Sequence, residues 1–106
     1  MDDVEPLAPR EVLRTQRGRI LSLLAERGAR DVRVFGSLAR GDEDPQSDID
    51  LLVELPDGGS AAAELLTALG LSEELSQLVR ARVDVVTPRT LREEVREAAL
   101  AEAVPL

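Results

Sequence analysis

A chain of 106 residues holds one compact domain and leaves no room for a second. It contains neither cysteine nor histidine, which excludes disulfides, a thiolate nucleophile, an imidazole base and any zinc site built from those ligands. The net charge is −8, all 13 basic residues are arginine and Phe35 is the only aromatic residue, so the basic stripe and stacking rings of a nucleic-acid surface are missing.

Residues 1–9 read as a loose arm, with an acidic start (Met1-Asp2-Asp3) and prolines at 6 and 9. No apolar run resembles a signal peptide or approaches the roughly 20 residues of a membrane span, so a soluble cytoplasmic protein is expected. From about Arg10 the pattern turns helical, with Leu13, Ile20, Leu23 and Leu24 on one stripe and Gly28 as the stop. Val32 to Phe35 alternates as a strand that ends at Gly36-Ser37. Residues 41–47 are a polar connection, and Asp48 to Leu55 reads as a second strand bounded by Pro56-Asp57-Gly58-Gly59.

A helical region follows from Ser60 to Arg80, with a break expected near Gly70 and Ser72 placed to cap a second segment. Val83 to Val86 is a third strand. Thr87-Pro88 has the form of an N-cap and first helical residue, opening a last helix to about Glu102 with Leu91, Val95 and Ala99 four apart. The expected fold is an α/β domain of the α+β type, a small mixed sheet with helices packed on it.

Without cysteine or histidine, chemistry must rest on carboxylates, hydroxyls, arginine and backbone amides, and carboxylate oxygens suit hard ions such as Mg²⁺ or Mn²⁺. Asp48 and Asp50 stand two apart in an apolar strand, so both point to one face, where two like charges repel. A lone pair of this kind on an open sheet face is usually just solvated. Upstream, Gly36-Ser37-Leu38-Ala39-Arg40-Gly41 follows a strand directly. Amides and a hydroxyl at such a turn suit an anion, glycine admits close backbone approach, and Arg40 either steadies the turn or meets phosphate charge. Asp84 lies between two valines in the third strand and, beside Asp48 and Asp50, completes a three-carboxylate set. Such sets hold two metal ions about 3.5–4 Å apart and suit in-line displacement at phosphorus.

These three segments, Gly36-Ser37 with Arg40-Gly41, Ser47 to Val53, and Val83 to Val86, together resemble the polymerase-β-like nucleotidyltransferase superfamily. Within it the short chain resembles the minimal nucleotidyltransferases, the antitoxins of toxin–antitoxin pairs with HEPN proteins. The likeness runs from about residue 20 to the final Glu102-Ala103-Val104-Pro105-Leu106. It implies the nucleotidyltransferase fold, with Gly36 and Ser37 on the β- and γ-phosphates of ATP and Arg40 structural or on phosphate. It also implies Asp48 and Asp50 on both Mg²⁺ ions, with Asp84 on the catalytic ion and helping to activate the attacking hydroxyl. AMP would pass to a tyrosine of a HEPN toxin. This chain has no tyrosine, so that acceptor lies in another molecule.

Two other readings use the same residues: a module that neutralises a HEPN partner by binding alone, and transfer of a nucleotide to a small molecule. Phe35 reads as core, which leaves base recognition to aliphatic packing. Leu65, Leu66, Leu69, Leu71, Leu75 and Leu78 exceed what a thin sheet must cover, so part of that helix is expected to pair with itself or with a helical partner.

Overall fold

The computed structural model describes residues 7–56 and 59–106; residues 1–6 of the expected arm, and Asp57 and Gly58 of the expected turn, lie outside them. Helix α1 spans Pro9–Glu26. Pro9 is therefore the buried first residue of a helix and not part of an arm, its fixed φ and missing N–H being harmless at that position. Val12, Ile20 and Leu24 form the buried stripe, and the helix stops at Gly28, whose φ of 80° is open to glycine at no steric cost.

Strand β1, Arg30–Phe35, starts two residues earlier than the alternation suggests, because Asp31 (φ 52°) makes a bulge between the paired positions Arg30 and Arg33. A short helix α2, Ser37–Arg40, leads into the polar connection and then strand β2, Ile49–Glu54. Helix α3 spans Ala61–Val79, strand β3 Val83–Val86, helix α4 Glu93–Glu102 and strand β4 Val104–Pro105. The sheet order is β3-β2-β1-β4, with β2 and β3 parallel and the other pairs antiparallel. It is the small mixed sheet expected.

Three local expectations are corrected. Helix α3 runs unbroken through Gly70: the sheet-facing row Ala68, Leu71, Leu75 and Val79 is buried and outweighs the roughly 1 kcal/mol that a helical glycine costs. Ser72 caps nothing. Its Oγ accepts from the Val85 N–H at 2.7 Å, and Ser76 Oγ accepts from the Val83 N–H at 3.0 Å. The two hydroxyls, one helical turn apart, thus satisfy the outer edge of β3, which pairs with no further strand among the described residues.

The last helix is also shorter than expected. Thr87 opens only a single 3-10 turn, Pro88–Thr90, after which Leu91 and Arg92 are extended and α4 starts at Glu93. The Arg96 guanidinium takes the carbonyls of Pro88 (2.6 Å) and Leu91 (3.1 Å), so these groups need no helical partner. Thr87 is buried and its hydroxyl bonds the carboxylate of Glu64 on α3.

Helices α1 and α3 cover one face of the sheet. The aliphatic core there joins Ile20 and Leu24 to Val34, Ile49, Leu51, Val53, Leu71, Leu75, Val83 and Val85. Side chains alternate along strands, so Phe35, Asp50 and Asp84 belong to the other face.

Candidate active site

Pairing places the candidate residues side by side. Across the parallel pair Asp50 is opposite Asp84, and across the antiparallel pair it is opposite Phe35. Because Gly36 follows Phe35, the turn after β1 lands against the Asp50 carboxylate. Gly36 has φ 75° and ψ −151°, and a Cβ there would overlap Asp50 Oδ2. Glycine is thus required twice, for backbone conformation and for space.

Asp48 precedes β2 by one residue and shares the face of Asp50. Its Oδ1 lies 3.4 Å from Nε of Arg82, whose side chain is almost fully exposed. Asp50 is half-buried and Asp84 exposed. Desolvation pushes the Asp50 carboxyl up to about 6; repulsion from Asp84 and then Asp48 adds to it, while Arg40 acts against it and Glu102 with it. The Asp84 carboxyl is also raised, first by desolvation and then by Asp48, with Arg82 opposing.

The donor set can be judged on its chemistry. All three carboxylates are hard oxygen donors on one face, and their mutual repulsion is the kind a divalent cation relieves. Among the described residues no three acidic side chains converge into a ready coordination shell, and Asp48 is turned toward Arg82. The residues fit a divalent ion by type and by face.

The turn is held by a residue outside all three sequence segments. Gly36 N–H donates to Glu102 Oε2 at 2.5 Å, and Arg40 Nη1 lies 3.1 Å from the same oxygen. Arg40 Nε also donates to Asp42 Oδ2 at 3.1 Å, so in this structure Arg40 steadies the turn. Ser37 opens α2 at the end facing the carboxylates, directly after Gly36. Phe35 is half-buried beside Asp50 and lies outside the aliphatic core, contrary to the sequence reading. A hollow of about 470 Å³ adjoins Asp48 and Asp84, lined by Leu69, Ser72, Glu73 and Arg82 as well.

Residues 17–106 match the nucleotidyltransferase domain family. The chain belongs to that family. It is 35% identical over 86 residues (81% of this chain, 88% of the other) to a protein of Methanocaldococcus jannaschii provisionally named a protein adenylyltransferase. It is 38% identical over 77 residues (73% and 74%) to the protein adenylyltransferase MntA of Thermococcus cleftensis. The fold is similar to that of a solved structure provisionally identified as a minimal nucleotidyltransferase, with 46% identity, a TM-score of 0.72 and 91% and 94% of the two chains covered. Two crystal structures of toxin–antitoxin complexes share the fold alone. One was solved with AMP-PNP (22% identity, TM-score 0.66, 83% and 69% covered), and one is MntA–HepT (20%, 0.60, 85% and 68%).

The fold brings the sequence-predicted residues Gly36, Ser37, Arg40, Asp48, Asp50 and Asp84 together around the ends of β1, β2 and β3. Sequence reasoning missed Glu102 and Arg82 as neighbours of these groups. Arg82 carries no signal beyond being two residues from Asp84. Glu102 carries one: an acidic residue ends α4, where the helix dipole disfavours negative charge, and a residue placed there against the dipole has another partner to find.

Proposed function

We propose that this nucleotidyltransferase, acting as one domain over residues 1–106, transfers AMP from ATP to a tyrosine hydroxyl of a HEPN-family toxin and so serves as its antitoxin in the cytoplasm. The observation that carries the reading is the register that sets Asp50 opposite Asp84 while Gly36 abuts Asp50 from the other side. The names of the relatives, protein adenylyltransferases, support AMP as the group transferred, and the fold shared with toxin–antitoxin complexes supports a toxin as the target. Among the described residues no helix is long and apolar enough to cross a membrane, and the charge of −8 speaks against nucleic acid as acceptor.

In this reading Ser37 and the turn that Gly36 opens take the β- and γ-phosphates at the start of α2, Gly36 by letting them approach closely, with Arg40 as the nearest positive charge. Asp48, Asp50 and Asp84 would hold two Mg²⁺ ions, or Mn²⁺ in their place, which when bound neutralise phosphate charge and polarise the transferred group. The acceptor oxygen attacks the α-phosphorus, the bond to the bridging oxygen breaks, and pyrophosphate leaves. Asp84, exposed and raised in pKa, takes the hydroxyl proton. Leu65, Leu66 and Leu69 of α3 are exposed at 44%, 71% and 53%, and Leu69 lines the hollow beside Asp84, which supports a helical partner docking there with its tyrosine directed inward.

The test is an intact-mass measurement after incubation with Mg²⁺–ATP and the HEPN partner. A gain of whole AMP units on the partner, absent with Asp50→Asn, is expected. A tight complex without mass gain, in which Asp50→Asn neutralises the toxin equally well, would replace catalysis with neutralisation by binding.

A further inference from the structure

Glu102 stands at the last residue of α4, yet every polar contact recorded for its side chain is to the turn after β1, more than 60 residues earlier. Its carboxylate accepts the Gly36 N–H at 2.5 Å and pairs with Arg40 at 3.1 and 3.3 Å. The side chain is 22% exposed. Its place in the helix is unfavourable by itself, since the C-terminal end already carries partial negative charge and no basic residue stands in the last turn. The contacts to Gly36 and Arg40 offset that cost.

What they hold matters. Gly36 is the residue with no room beside Asp50, so its backbone position sets the separation between the turn and the carboxylates. Glu102 is itself held from behind: β4 pairs with β1 at Arg33 and Val34, and the Leu106 N–H donates to Val32 O at 3.1 Å. The C-terminal segment is thereby anchored to the strand that ends in the turn. The second half of β1 and the segment from Glu102 to Leu106 thus hold Gly36 from one side.

We infer that Glu102 is a positioning residue for nucleotide transfer: it fixes the Gly36–Arg40 turn against Asp50 from the far side, so that the turn meets the nucleotide already ordered. The inference rests on the reading of that turn as the phosphate-binding segment. Pre-ordering lowers the cost of binding, because a loop fixed beforehand need not be ordered by the ligand. The opposite role is physically distinct. A carboxylate that merely occupied donors meant for phosphate would compete with nucleotide, and its removal would tighten binding.

The experiment is calorimetric titration of the full chain with Mg²⁺–AMP-PNP, for the parent, Glu102→Gln and Glu102→Ala, with the Gly36 amide resonance followed by NMR. Gln keeps an oxygen for the Gly36 N–H, and Ala keeps none. Glu102→Ala is expected to weaken binding about tenfold, and Glu102→Gln to recover it to within about threefold of the parent. The Gly36 amide should move furthest in the Ala variant, and circular dichroism should show both variants folded. Equal or tighter binding by Glu102→Ala would overturn the inference and make Glu102 a competing anion. A Gln variant as weak as Ala would also overturn it, since retained geometry would then count for nothing. A parent chain that binds no nucleotide would overturn the phosphate-segment reading itself, a result separable from the first two.

Discussion

Ile49, Leu51 and Val53 of β2 enter the aliphatic core at 0%, 0% and 2% exposure, whereas Asp50, on the opposite face of the strand, and Asp48, just before it, crowd charge against Asp84. Leu52 shares the second face and is fully buried too, so the polar part of that face is confined to the start of the strand. The comparison separates two energetic roles within six residues. One face supplies folding energy at roughly 1.5–3 kcal/mol per buried aliphatic side chain. The other costs energy, through partial desolvation and repulsion of carboxylates. Alternation in a strand lets both be encoded in adjacent positions with little interference.

The largest effect is expected on the buried face. Leu51→Ala removes a side chain with no exposure, next to Asp50, and should destabilise the domain by about 2–5 kcal/mol. Urea denaturation measures this, and a loss below about 1 kcal/mol would mean that the core face is not where the folding energy lies.

A change on the other face should act in the opposite direction. Asp50→Asn removes the carboxyl held at about 6, and in the absence of divalent ions should stabilise the chain at pH 7 by about 1–2 kcal/mol, allowing for solvent screening. The pH dependence follows from the upward shift. Below about pH 3.8 Asp50 is protonated in the folded and unfolded chain alike and costs nothing. Between there and about 6 the unfolded chain ionises first, so stability falls as pH rises; above 6 the penalty is complete. The gain from Asp50→Asn should therefore grow from nothing to its full value across that window in metal-free melts. A pH-independent gain would assign it to packing instead.

The smallest effect serves as calibration. Gly70→Ala lies on the exposed side of α3, where an added Cβ meets nothing within 4 Å, and touches neither face of β2. It should stabilise by about 0.5–1 kcal/mol through helix propensity alone and leave nucleotide affinity unchanged. A change in affinity would mean that α3 reports to the site through its backbone.

Much of this layout was legible from residue pattern. The 3.6-residue stripe of α1, the alternation of β1 and β2, the short run at Val83 to Val86 and the stop at Gly28 are all local preferences, and each appears in the fold within a few residues. Gly36, Asp48, Asp50 and Asp84 stand out in the sequence because glycine at a strand end and carboxylates among valines and leucines depart from the local rule. The failures also have local causes. Gly70 and Ser72 read as a break because helix propensity does not include the sheet under Leu71 and Leu75. Thr87-Pro88 has the local form of a helix start, and the Arg96 contact that takes the Pro88 carbonyl comes from eight residues further on.

Composition and short-range pattern were enough to specify most of the elements and to limit the chemistry to carboxylates, hydroxyls, arginine and backbone amides, since these depend on side-chain type and on spacings of two to four residues. Contacts between distant segments set the rest. Strand β4 exists only because β1 offers an edge to it, the edge of β3 is closed by Ser72 and Ser76, Phe35 leaves the core for the face of Asp50, and Glu102 reaches Gly36. A two-residue strand has no periodicity to read, and a hydroxyl or carboxylate shows no preference for a partner 60 residues away. Such pairings become favourable once the core has brought the backbone groups together, because the entropy of closing so long a loop has by then been met by apolar burial.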